Sequence, residues 1–224
     1  MMSYYPVLIQ LDRKKVVVVG GGSIAERKIE TLLEYGAEVQ VISRELTPRL
    51  RGYREGGKIV FLGQEFNEDC LEQAFMVIAA TNDPSLNHQV SEKAKERGLL
   101  VNAVDQPSDC NFILPSVLRR GDLLIAVSTS GKSPALAKKV REALEERFGN
   151  EYGSFLLLMG RLREEILSQR LSQAENRRIF NELVNSPILE AIGREDWNGV
   201  ARILNGIVPG RLSSKDVIDY LKVE

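Results

Sequence analysis

Residues 14–28, KKVVVVGGGSIAERK, restrict the fold more than any other stretch of the chain. Four consecutive valines are apolar and β-branched with no polar alternation, as expected of a strand covered on both faces. They lead directly into Gly20-x-Gly22-x-x-Ala25 and then into a helix-forming segment. In such a strand-turn-helix unit Gly20 makes the tight turn, Gly22 leaves the backbone bare for a pyrophosphate, and Ala25 lets the helix lie close to the sheet. The first helical turn then offers unpaired N-H groups to the anion.

The same grammar continues to Val104. Short apolar runs (VVVVG, EVQVIS, KIVFL, FMVIAA, LLVNAV) alternate with helices near 23–35 and 85–97, the pattern of βαβ units around a parallel sheet. In that architecture an acid at the end of the second strand holds the adenosine ribose. Here Ser43-Arg44-Glu45 follows the strand: Glu45 suits a 2′-hydroxyl and Arg44 suits a 2′-phosphate, which leaves NAD and NADP both open. The fourth strand ends in AATND, placing Thr81 and Asn82 at the carboxyl edge as crevice residues, with a helix N-cap role for Asp83 as the plain alternative. The fifth runs into Asp105, ahead of Gln106-Pro107, and presents either a turn-forming residue or a carboxylate at the sheet's carboxyl edge.

After Cys110 the pattern changes. FILPSVLRRGDLLIAVSTSG reads as two antiparallel strands turning at Arg120-Gly121-Asp122, and Ser133-Pro134 opens a helix that runs to about Phe148. From Glu151 onward the chain is helical, broken by Gly and Pro near 186, 193, 199, 206 and 209–210, with Leu156, Met159, Leu162 and Ile166 on an apolar face. The expected division is an α/β Rossmann domain with a doubly wound parallel sheet over 1–113, a hairpin-plus-helix segment over 114–149, and an all-helical domain over 150–224. STSGKSP imitates a triphosphate-binding loop, but Ala126 stands where that motif needs glycine. Its Ser128, Ser130 and Lys132 remain candidates for holding a carboxylate ahead of the next helix, and Arg119 and Arg120 are candidates at the hairpin tip, where a solvated turn is the plain alternative.

Thirty Lys+Arg against 31 Asp+Glu give no electrostatic case for a nucleic-acid or membrane-surface partner. No apolar run approaches a membrane span and the N-terminus lacks a signal-peptide pattern, so the expected location is the cytoplasm, where Cys70 and Cys110 would stay reduced. With one histidine, His88, on an amphipathic helix, no metal centre is expected.

VVVVGGGSIAERK, AATND, NAVD and NFILPSVLRRGDLLIAVSTSGKSPALAKKVRE together resemble the precorrin-2 dehydrogenase family, the module that also forms the N-terminal half of multifunctional siroheme synthases. The resemblance runs from about Tyr5 to Gly149 and more loosely beyond. It implies a homodimer with a swapped central segment and NAD-dependent oxidation of precorrin-2, a reduced tetrapyrrole with carboxylate side chains, to sirohydrochlorin. It also implies a catalytic role for Asp105 and cofactor contacts by Ser23, Ile24, Arg44 and Glu45. Two other functions stay beside it: a dehydrogenase that also inserts iron into sirohydrochlorin, and a non-enzymatic NAD(H)-sensing module. The chain ends at Glu224 without room for a methyltransferase half, so a stand-alone dehydrogenase is expected.

Overall fold

The four valines are the last four residues of β1 (Lys15–Val19), the central strand of a five-stranded sheet in the computed structural model, which describes residues 4–208 and 212–222. The elements that follow are α1 (Ser23–Glu34), β2 (Glu38–Ile42), α2 (Pro48–Glu55), β3 (Val60–Gly63), β4 (Met76–Ala79), α3 (Pro84–Glu96) and β5 (Leu100–Ala103). The strands are all parallel in the order β3-β2-β1-β4-β5. Alternation along β1 divides the core in two. Val16 and Val18 pack with Ile29, Leu32 and Leu50 from α1 and α2, whereas Val17 and Val19 pack with Val90 and Ala94 from α3. A strand covered on both faces has no polar side to show, which is why the run carries no alternation. The helix α2 was not expected: PRLRGYRE is only eight residues and contains Gly52, and its N-terminus is carried by the Thr47 side chain, which accepts from Leu50 N.

Gly20 is demanded by the fold itself. Its φ is +127°, its N-H donates to the Ile42 carbonyl at 2.8 Å, and a Cβ there would meet the Ala80 carbonyl oxygen and lie 2.7 Å from the carbonyl carbon. Gly20→Ala is therefore expected to cost at least about 2 kcal/mol of folding stability. An unchanged denaturation midpoint would show that the turn relaxes freely.

The chain divides into two compact units, Met1–Leu114 and Pro115–Glu224. In the second, β6 (Ser116–Arg120) and β7 (Leu123–Val127) form an antiparallel pair with Arg120 opposite Leu123, closed by Gly121 and Asp122, and α4 (Pro134–Arg147) packs on it. Then come α5 (Glu151–Ser168), α6 (Gln173–Val184), α7 (Ile188–Gly193), α8 (Trp197–Ile207) and α9 (Ser214–Tyr220). They share a core that includes Leu158, Leu162, Ile166, Ile179, Leu183, Ile188, Val200, Leu204 and Val217. Leu158 takes the place expected of Leu156. Residues 158, 162 and 166 follow one i,i+4 row, while Leu156 lies about 120° round the helix from Leu162. Met159 packs at the margin of that core. The expected break at Pro209-Gly210 lies outside the described residues. No described helix is long and apolar enough to cross a membrane.

Candidate functional site

In the first unit the loops leaving β1, β2, β4 and β5 surround a groove of about 1190 Å³ at the carboxyl edge of the sheet. The sheet order reverses direction at β1, between β2 and β4, the switch point where open α/β sheets take ligands. All nine residues expected there line it: Gly20, Gly22, Ser23, Ile24, Arg44, Glu45, Thr81, Asn82 and Asp105.

The N-terminus of α1 opens into this groove without a side-chain cap. Gly22 occupies the capping position in extended backbone (φ -81°, ψ -176°), whereas α2 and α3 are capped by Thr47 and Asp83. A Cβ on Gly22 would meet nothing within 4 Å. Its neighbour Gly21 differs: a Cβ there would strike the Glu45 carbonyl and stand 2.6 Å from Ser43 Oγ. Thus the middle glycine lets the β2 loop close on the turn, helped by Thr47 N donating to the Gly21 carbonyl at 3.0 Å. Sequence reasoning gave Gly21 no role. In that loop Ser43 Oγ donates to the Glu45 carbonyl at 2.6 Å, and the exposed Arg44 guanidinium lies 3.8 Å from Glu65, a second carboxylate on the groove wall.

At the end of β4, Thr81 is held by a buried asparagine. Asn87, 3 % exposed on α3, accepts from Thr81 N at 3.1 Å and Thr81 Oγ1 at 2.8 Å, and its amide donates to the Thr81 carbonyl at 3.1 Å. Asp83 caps α3 by accepting from Ser85 N and Leu86 N. A polar residue in a helix carries no sign of such an inward role, so Asn87 could not be found by pattern.

Asp105 lies two residues beyond β5, after Val104 N has closed on the Ala79 carbonyl at 2.9 Å. Its φ is +59°, the left-handed region that aspartate tolerates better than most residues. The following loop is tied down on several sides. Gln106 Nε2 donates to the Pro84 carbonyl at 3.0 Å, the Cys110 thiol donates to the Ala103 carbonyl at 3.3 Å, and Asn111 brackets β5 through Val101 N and the Leu99 carbonyl. Burial pushes the Cys110 thiol above its ordinary pKa. Close by, burial and the neighbouring Arg27 push the Lys28 ammonium below its ordinary value, while Cys110 and Asp105 pull it back up. Lys28 Nζ reaches Asn102 Oδ1 at 3.5 Å. This lysine, one turn into α1, is a cation within electrostatic reach of Asp105 that the sequence did not single out.

The basic and hydroxyl residues of the second unit are not brought together. Arg119 and Arg120 stand at the turn end of the hairpin, where Arg120 Nε donates to the Phe148 carbonyl at 3.0 Å. Ser128, Ser130 and Lys132 follow the other end of β7, a strand length of roughly 17 Å away. Their loop is internally bonded: Ser130 (φ +52°) donates its N-H to Ser128 Oγ at 3.1 Å, and Ser133 Oγ caps α4 by accepting from Leu136 N at 3.2 Å.

The chain matches the family model described as putative NAD(P)-binding over residues 7–116, and that of the sirohaem biosynthesis protein central region over residues 120–147. Siroheme synthase 1 of Serratia proteamaculans is 41% identical over 181 residues, covering 81% of this chain and 38% of that protein. Siroheme synthase 2 of Cronobacter sakazakii is 34% identical over 215 residues, covering 96% of this chain and 47% of the relative. The chain thus spans less than half the length of these synthases. Among solved structures it is similar to SirC, precorrin-2 dehydrogenase, with a TM-score of 0.76 and 26% identity over 91% of this chain and 98% of that one.

Proposed function

The chain belongs to the precorrin-2 dehydrogenase family, and on that premise we propose that it oxidises precorrin-2 to sirohydrochlorin with NAD. The observation that carries this reading is the shared groove: the glycine turn, the uncapped start of α1 and the Asp105 carboxylate all line it. The residues fit a dinucleotide, since Gly22 has open space where a pyrophosphate must approach and the first N-H groups of α1 face it. When bound, NAD supplies the acceptor for the hydride.

Each residue then has one task. Gly20, Gly22, Ser23 and Ile24 hold the pyrophosphate, Glu45 accepts from the adenosine ribose, and Thr81 and Asn82 line the wall. Arg44 is paired with Glu65, so the rim carries two carboxylates against one cation, which favours NAD over a 2′-phosphorylated cofactor. Dehydrogenation removes a hydride and a proton from the macrocycle. Asp105 takes the proton, held for that purpose in a conformation that its tethered loop prevents from relaxing. Arg119 and Arg120 at one end of the hairpin, and Ser128, Ser130 and Lys132 at the other, act as separate anchors for different substrate carboxylates.

We further propose a homodimer working in the cytoplasm, with domains over 1–113, 114–149 and 150–224 and the dimer interface including residues 114–148. Support comes from Leu114, Leu136 and Val140, large apolar side chains left 54%, 51% and 39% exposed on the hairpin segment and α4, and, for the compartment, from the two free cysteines. Light scattering at micromolar concentration is expected to give twice the 25.1 kDa chain mass. A monomer mass would remove the dimer. Conversion of precorrin-2, followed by the visible spectrum of the macrocycle, is expected to run with NAD and to be slower with NADP by about tenfold or more. No conversion with either cofactor would overturn the proposed activity.

A further inference from the structure

We propose that His88, Glu92 and Asp109 form a binding site for one divalent first-row transition-metal ion, outside the dinucleotide groove. One ligand atom from each lies within 4.8 Å of the others, and none of the three lines the groove. His88 and Glu92 are one turn apart on α3 and therefore share a face. Asp109 ends the short 3₁₀ turn Pro107–Asp109, 21 residues from His88 in the chain, so no local spacing announced the group.

Two features point to a cation. The Asp109 side chain is only 8% exposed, and its single ion-pair partner among the described residues is the His88 ring, with Nδ1 to Oδ1 at 2.9 Å. Buried carboxylates are normally paired or bound to a metal, and no lysine or arginine pairs with this one among the described residues. The placement counts as well: His88 and Glu92, on one face of α3, each bring a ligand atom within 4.8 Å of that carboxylate, and the 2.9 Å Nδ1–Oδ1 contact is a hydrogen bond that a shared ion would replace. Glu92 Oε1 lies 3.2 Å from Lys95 Nζ, and the same lysine reaches the Ser108 carbonyl at 3.3 Å. One imidazole with two carboxylates selects ions such as Co²⁺, Ni²⁺ or Zn²⁺ over Mg²⁺ and Ca²⁺. An ion there would clamp the loop that carries Asp105 onto α3, four residues from the carboxylate itself.

The chain has one histidine, which makes the test direct. The full-length, tag-free protein is stripped with chelator and titrated with Ni²⁺ by calorimetry, in the absence of cofactor and substrate. One saturable site per chain is expected, lost in His88→Ala and weakened about tenfold or more in Glu92→Gln. In the unsubstituted protein, stoichiometric Co²⁺ should broaden the single imidazole resonance, a readout that needs no variant to fold. An absent Ni²⁺ site, an isotherm unchanged by His88→Ala, or an imidazole signal untouched by Co²⁺ would each overturn the proposal. None of these outcomes bears on the dehydrogenase reading.

Discussion

Asp105→Asn is expected to lower turnover of precorrin-2 by ~10²- to 10⁴-fold, the range a positioned general base contributes, while NAD affinity stays within about twofold. The substitution is close to isosteric, and asparagine tolerates the left-handed backbone that Asp105 adopts at φ +59°, so the loop keeps its shape. In the proposed function cofactor binding is set elsewhere, by the glycine turn after β1. What is lost is the ability to take a proton. Asp105→Ala would mix that loss with backbone strain of about 1 kcal/mol or more, which makes the asparagine variant the cleaner reading. A fall of less than about threefold, far short of the general-base range, would make Asp105 a turn residue and require another base.

Gly22→Asp is expected to weaken NAD binding about hundredfold or more and to leave the fold intact. The new carboxylate would stand where the pyrophosphate approaches. Two like charges about 4 Å apart repel by about 4 kcal/mol at an intermediate dielectric, against about 1.4 kcal/mol for each tenfold in affinity. The fold has no objection, because a Cβ at Gly22 meets nothing within 4 Å and its φ of -81° is open to any residue. Aspartate there would even supply the cap that α1 lacks. A raised or unchanged thermal midpoint with calorimetric NAD binding lost is the expected pair of results. Unchanged affinity would remove the glycine turn from the cofactor site. The contrast with Gly20 separates two reasons for a glycine: one is required by the Ala80 carbonyl behind it, while the other has open space in front of it, where the proposed cofactor would lie.

Most of the site's frame was legible because it rests on local rules. A buried valine run, a glycine spacing and a serine-proline helix start each report their own geometry, and the strands, the hairpin turn and α4 lie where those signals placed them. What escaped depends on contacts that exist only once the chain has turned back on itself. Asn87 is an ordinary helical asparagine until the fold aims it at Thr81. Lys28 becomes a desolvated cation only because α1 packs beside the loop after β5. The loop that carries Asp105 at φ +59° is tied down through Gln106, Cys110 and Asn111, and nothing in those residue types announces such bonds. The helix α2 was hidden for the opposite reason, being too short and too polar for its periodicity to stand out.

On the proposed function, hydride leaves a reduced tetrapyrrole for NAD in the groove at the carboxyl edge of the sheet. The most direct measurement is an anaerobic incubation of the protein with precorrin-2 and NAD, without iron, in which NADH and sirohydrochlorin are quantified together. One NADH is expected for each sirohydrochlorin formed, with both lost in Asp105→Asn. Sirohydrochlorin formed without a matching amount of NADH, or no product from a protein that still binds NAD, would contradict it.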